Sequence, residues 1–185
     1  MLTWAVNDHN GPVAVRYPRG GDRAFTQSHW TDLDSPVSCH RKGKDVTILT
    51  YGTMLDNAMQ AADVLSQQGI EAKVLRLMAV APLNVDAIAG QIAGSHLLIV
   101  EEANTHSGIA KELAFQLAEQ NHSYKVHALD LGDGYVTHGS MDALYRHYGL
   151  DGASIAEFIL KEHFYENPKA PGCALDGAPV HGFPS

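Results

Sequence analysis

The sequence predicts an α/β fold built on a mainly parallel sheet. Three observations carry that reading. The β-branched and apolar runs in "DVTILTYG" and "HLLIVEEA" are continuous rather than alternating, which marks strands buried on both faces. Stretches with helical spacing of apolar residues separate these runs. Glycine and proline punctuation stands between the two kinds of segment, so strand and helix alternate along the chain.

Each element follows in order. Leu2 to Asn7 read as a helix end, stopped by "DHNGP". Val13 to Tyr17 read as a strand after Gly11 and Pro12. Gly20 to Pro36 has no period and is rich in turn residues, so it reads as a linker. "VSCHRKGK" fits a short strand and turn, and Val46 to Tyr51 a stronger strand ending at Gly52. Met54, Ala58, Ala61, Ala62 and Leu65 then fall at helical spacing, with Gly69 placed to close the helix. "IEAKVL" opens the next strand, and Asn84 to Ile92 fits a short helix. "HLLIVEEA" is a strand, and Ile109 to Glu119 a helix with Leu113 and Leu117 inward. "KVHALDLGD" is a further strand. "SMDALYRHYGLDGASIAEFILKEHF" reads as two helices broken between Gly149 and Gly152. The Pro- and Gly-rich end of the chain has no period.

The division that results is uneven. Residues 1–22 read as the end of a preceding domain, 23–36 as a linker, 37–163 as a complete α/β domain and 164–185 as an irregular tail. A lone helix and strand cannot bury their own faces, so residues 1–22 are expected to pack on a domain outside this chain.

Composition excludes several classes. The 185 residues carry a formal net charge of -8, whereas binding to nucleic acid through phosphates needs a basic face. A small phosphorylated ligand needs only one or two local cations and stays open. No apolar run reaches the roughly 18 residues of a membrane span, so no membrane partner is expected. Two cysteines, Cys39 and Cys173, lack the spacing of a disulfide framework or metal site, which fits a reduced, cytoplasmic setting. Eleven histidines match no metal signature. There is no P-loop, no dinucleotide fingerprint and no nucleophile elbow, so no catalytic residue and no metal ligand is assigned.

Four places have chemistry to offer, each with an ordinary alternative. In "GPVAVRYPRGGDR", Arg16 and Arg19 flank Pro18, which stiffens the strand exit, and Gly20 and Gly21 let a ligand approach the backbone. Guanidinium groups there can grip a phosphate bidentately, or serve as a solvated strand end or inter-domain ion pair. Gly52 and Thr53 stand between strand and helix, either as an anion site or with Thr53 as a plain N-cap. Glu101 and Glu102 end a parallel strand, where paired acids do proton transfer or bind metal, or else cap the next helix. His138, in "YVTHGS", lies before a helix and can face a ligand or a partner, or make local hydrogen bonds.

Taken together and in this order, "GPVAVRYPRG", "DVTILTYGTMLDNAMQAADVL", "AKVLRLMAVAPLN", "LLIVEEA" and "VTHGSMDALYRHYGLD" resemble the C-terminal region of the transketolase-like thiamine diphosphate enzymes. "RYPRG" and the late "HG" before a helix and "GLD" look most like the 1-deoxy-D-xylulose-5-phosphate synthases. The resemblance implies a three-layer α/β/α domain whose five-stranded mixed sheet has its first strand, Val37 to Arg41, antiparallel. It implies a homodimer and a substrate phosphate held by Arg19, with Arg16 beside it. It implies thiamine diphosphate and Mg2+ in the full-length enzyme, held by segments outside this chain, which is therefore expected to bind no cofactor and to be inactive alone. The reaction implied joins a two-carbon unit from pyruvate to glyceraldehyde 3-phosphate with loss of carbon dioxide. Where the synthases carry a glycine-rich segment after the paired glutamates, this chain has "NTHSGIAKEL", keeping Gly108. Alternatives are a transketolase-like enzyme acting on another sugar phosphate, a beta-type subunit of a two-oxo acid dehydrogenase, and a non-catalytic α/β binding module.

Overall fold

The computed structural model describes residues 2–14 and 35–166. A short helix, α1 (Leu2–Asn7), opens the chain. The body then runs β1 (Val37–Arg41), β2 (Val46–Thr50), a 3-10 turn (Gly52–Met54), α2 (Leu55–Gln67), β3 (Ala72–Leu77), α3 (Val85–Ala89), β4 (His96–Val100), α4 (Ala110–Glu119), β5 (Lys125–Leu129), α5 (Met141–Tyr148) and α6 (Gly152–Glu166). The strands form one five-stranded sheet in the order β1-β3-β2-β4-β5. β3, β2, β4 and β5 are parallel, as helical crossovers require, while β1 lies antiparallel along β3. The expected mixed sheet with an antiparallel first strand is the sheet observed.

Alternation of side chains across the sheet divides the core in two. Val46, Ile48, Val74, Leu98 and Val100 face α2, α5 and α6, where Ala58, Ala61, Ala62, Leu65, Tyr145 and Ile159 close over them. Leu49, Leu75, Leu77, Leu97 and Ile99 face α3 and α4, against Ile88, Leu113 and Leu117. Every residue of β2 is buried, and its two threonine hydroxyls donate to the Ala93 and Val100 carbonyls at 2.8 Å. Each Leu or Ile fully buried in these layers contributes about 1.5–3 kcal/mol. Small residues on α2 let α6 approach closely: a Cβ on Gly152 would stand 2.6 Å from that of Gln60.

Both edges are managed rather than left flat. β1 carries a register shift between Cys39 and Arg41, and Arg41 reaches across to Asp63 on α2. β5 presents Lys125 and Ala128 to solvent.

Some expectations shift. Asn84 is the N-cap of α3, its Oδ1 accepting the Ala87 N–H at 3.0 Å, and the helix ends at Ala89 rather than Ile92. α6 runs to Glu166, past the expected end of the domain. Thr53 does not cap α2. It lies inside the 3-10 turn, because Tyr51 and not Thr53 occupies the extended position before it. Val13 and Ala14 sit in no regular element, and the rest of the expected strand lies outside the described residues, with Arg16, Arg19, most of the linker and most of the tail.

Candidate functional site at the carboxyl edge of the sheet

Strand order reverses between β2 and β4: the chain crosses one way from β2 to β3 and the other way from β4 to β5. Open parallel sheets form their crevice at such a point, beyond the carboxyl ends of the strands. Two loops meet there, Tyr51–Thr53 after β2 and Glu101–Ala103 after β4, and each brings polar groups that the strands cannot hold in the core.

Glu101 is 1% exposed. Its carboxylate accepts the Ile109 N–H at 2.8 Å, the Ala110 N–H at 3.3 Å and the Tyr51 hydroxyl at 3.1 Å. Two of these donors are orphan amides at the start of α4, so the carboxylate satisfies them and complements the helix dipole. Gly108 makes this possible. A Cβ there would stand 2.1 Å from Oε1 of Glu101. Of the two roles open to Glu101, the helix cap is therefore the one observed.

Glu102 points the other way and is exposed. Its Oε2 accepts from the Thr53 hydroxyl at 3.0 Å and from the Tyr145 hydroxyl at 3.2 Å. The second oxygen has no hydrogen bond among the described residues. The node joins the β2 and β4 loops to α5. Beside it an open cavity of about 400 Å³ is lined by Asn57, Gln60, Asp142, Tyr145, Arg146 and Asp151. Asn57 is buried and donates from Nδ2 to the Leu150 carbonyl at 2.8 Å, tying α2 to the turn before α6.

His138 is not brought to this edge node. It lies exposed in the loop between β5 and α5, with no hydrogen bond to either glutamate. The helix start beyond it is held by Ser140, whose Oγ accepts the Ala143 N–H at 3.4 Å.

Three participants escaped the sequence reading: Tyr51, Thr53 as a ligand of Glu102, and Tyr145. A tyrosine directly after a buried strand, as Tyr51 is, was the available signal, since its hydroxyl needs a partner where the core ends. Tyr145 carried none, because its distance from Glu102 in sequence hides the contact. On β3, burial pulls the Arg76 guanidinium below its ordinary value, and the charge of Asp56 on α2 opposes that.

Burial raises the Tyr51 phenol above its usual value, and the charge of Glu101, the hydrogen bond to it and the charge of Glu102 add to the shift. A folded-state value above the unfolded one, about 10, makes a contribution that is complete below that pH. It is lost as pH rises toward the folded value. Urea midpoints should therefore fall as pH rises above about 10, and fall less in Tyr51→Phe. Equal losses in the two proteins would show that Tyr51 plays no part.

Thiamine diphosphate and its metal do not fit the described residues. Glu101 is committed to backbone amides, and no group of three His, Cys, Asp or Glu side chains is placed to hold a metal among the described residues. No helix there is long and apolar enough to cross a membrane.

Comparison with known proteins agrees with this architecture. The profile of the family described as "Transketolase, C-terminal domain" matches residues 36–155. A 1-deoxy-D-xylulose-5-phosphate synthase of Chlorobaculum tepidum is 36% identical over 174 residues, 90% of this chain and 26% of that protein. A synthase of the same description from Gloeothece citriformis is 32% identical over 89% of this chain and 26% of its own. The chain thus spans about a quarter of the length of these curated relatives. A solved structure described as a split gene transketolase, inactive beta4 tetramer, superposes with a TM-score of 0.57 at 26% identity, covering 68% of this chain and 41% of that one. Transketolase from Campylobacter jejuni shares the fold, with a TM-score of 0.50 at 18% identity over 70% of this chain and 19% of its own.

Proposed function

Since this chain belongs to the family of transketolase C-terminal domains, we propose that it is the C-terminal part of a thiamine diphosphate-dependent transferase of the 1-deoxy-D-xylulose-5-phosphate synthase type. The observation that carries this reading is the match to such synthases over nine-tenths of the chain. The reaction would be theirs: a two-carbon unit from pyruvate added to glyceraldehyde 3-phosphate. Bound thiamine diphosphate supplies the nucleophile and the electron sink for that chemistry. We place its site in other segments, a reading supported by the commitment of Glu101 to backbone amides.

Within this division of labour the α/β/α domain is a rigid support. It anchors the segment bearing "RYPRG" and takes part in a homodimer, and the exposed Phe115, Tyr135, Val136 and Met141 supply apolar surface for such contacts. Arg19 grips the phosphate of the acceptor, with Arg16 beside it. The setting is cytoplasmic.

Arg19→Ala in the full-length enzyme tests the site. Losing a charge-assisted contact of about 1.5–3 kcal/mol should raise KM for the phosphorylated acceptor about ten- to a hundredfold, with a smaller change in kcat. An unchanged KM removes Arg19 from the substrate site. Calorimetry of the isolated chain with thiamine diphosphate and Mg2+ should show no micromolar binding, and such binding would overturn the division of labour. A second reading, a separately encoded subunit of a split transketolase, is favoured by the likeness to the split gene structure. Co-purification with a distinct chain carrying the thiamine-binding segments would select it.

A further inference from the structure

Asn10 and Gly11 form the only Asn-Gly step in the sequence. α1 ends at Asn7, and the step lies beyond it in no helix or strand. Three asparagines are held by their side chains: Asn57 by the Leu150 carbonyl, Asn84 by the Ala87 amide, Asn104 by the amides of His106 and Ser107; Asn7 and Asn121 are exposed but neither precedes a glycine. Asn10 has no hydrogen bond among the described residues.

Chemistry converges on this step. Gly11 has no side chain to shield its backbone nitrogen, so that nitrogen can approach the neighbouring side-chain amide. Attack on Cγ of Asn10 closes a five-membered ring, and the two groups are already held by the bonds of a single residue. His9 lies against the same place: its Nε2 would stand 3.6 Å from a Cβ built on Gly11. An imidazole so placed can relay the proton that the attacking amide must lose.

We infer that Asn10–Gly11 is a self-modification site, where the chain converts Asn10 to aspartate and isoaspartate without an enzyme. The Gly11 nitrogen passes its proton to His9 and bonds to Cγ of Asn10. The Cγ–Nδ2 bond breaks, and Nδ2 leaves as ammonia with the bonding pair and the proton returned by the imidazolium. The product is a succinimide. Water then opens the ring. Cleavage of the bond from nitrogen to Cγ gives aspartate. Cleavage at the main-chain carbonyl gives isoaspartate, whose backbone runs through Cβ and Cγ. Nothing is oxidised or reduced, and water is the only co-reactant. Both products add a negative charge, and isoaspartate lengthens the main chain by one methylene ahead of Arg16 and Arg19.

The test is incubation of the purified protein at mildly alkaline pH, followed by peptide mapping by mass spectrometry and labelling with an isoaspartyl methyltransferase. The peptide containing Asn10 should gain one mass unit and the label about tenfold faster than those containing Asn57, Asn84 or Asn104. Asn10→Gln should abolish both signals, and His9→Gln should slow them about tenfold. An intact Asn10 while other asparagines convert overturns the site. Conversion of His9→Gln at the unmodified rate overturns the part given to the imidazole.

Discussion

Gly108→Ala is expected to destabilise the domain by about 3–5 kcal/mol, far above the loss usual for a Gly-to-Ala change in a loop. The new Cβ would stand 2.1 Å from Oε1, 2.4 Å from Cδ and 2.7 Å from Oε2 of Glu101. A side chain with free space could swing aside. Glu101 cannot, because it is enclosed and its oxygens hold the first amides of α4 and the Tyr51 hydroxyl. Displacing it leaves three donors without their acceptor and a buried carboxylate without its donors. Urea denaturation of the variant measures the loss. Glu101→Ala added to Gly108→Ala should cost little beyond Glu101→Ala alone, since the carboxylate is what the methyl group meets. Full additivity of the two losses would show that the contact is not the cause.

Gly43→Ala should cost about 4 kcal/mol or more, for a different reason. Its Cβ would stand 2.3 Å from the Ala72 carbonyl carbon and 2.4 Å from both the Glu71 oxygen and the Lys73 nitrogen. These are main-chain atoms at the entry to β3, and a close-packed strand has no room to retreat. The same stretch is pinned by the Lys44 and Asp45 amides on the Glu71 carbonyl, at 3.0 and 3.1 Å, and by the Glu71 amide on Oδ2 of Asp45 at 2.7 Å. Opening a gap for the methyl group breaks these bonds and disturbs the start of the β2–β3 pairing. Gly134→Ala is the comparison, because nothing lies within 4 Å of its added Cβ. It should change stability by no more than about 0.5 kcal/mol. A Gly43→Ala loss as small as that would refute the packing argument.

The layers of this fold were legible in the sequence because burial writes itself into runs and periods. β2 reads as five consecutive strand-forming residues, and it is enclosed on both faces. The break between α5 and α6 showed in Gly149 and Gly152. The antiparallel placement of β1 was not readable from its residues and came from the likeness to a known family. The edge node was half legible. Its two glutamates stood out at the end of β4, but Glu102 is placed by contacts 43 and 49 positions away, and Glu101, which caps amides 8 and 9 positions on, also takes a hydroxyl 50 positions away. Nothing local distinguishes Glu101, turned inward to cap a helix, from Glu102, turned outward to two hydroxyls. The N-cap reading of Thr53 failed for a related reason, since a 3-10 turn intervenes before α2 and frees the hydroxyl for a long-range partner.

Strand order in the sheet differs from the order in which the strands are synthesised. β2 must wait for β3 on one side and for β4 on the other, and β1 also waits for β3. The apolar flank of α2 is sealed mainly by α6, the last helix among the described residues. A nascent chain that has emerged only as far as α5 therefore holds an assembled sheet with one layer open. Such intermediates expose apolar surface while non-local pairings are still forming, which is when chains aggregate or recruit chaperones. Closure of the α2 layer therefore waits for α6, whichever strands have paired before it.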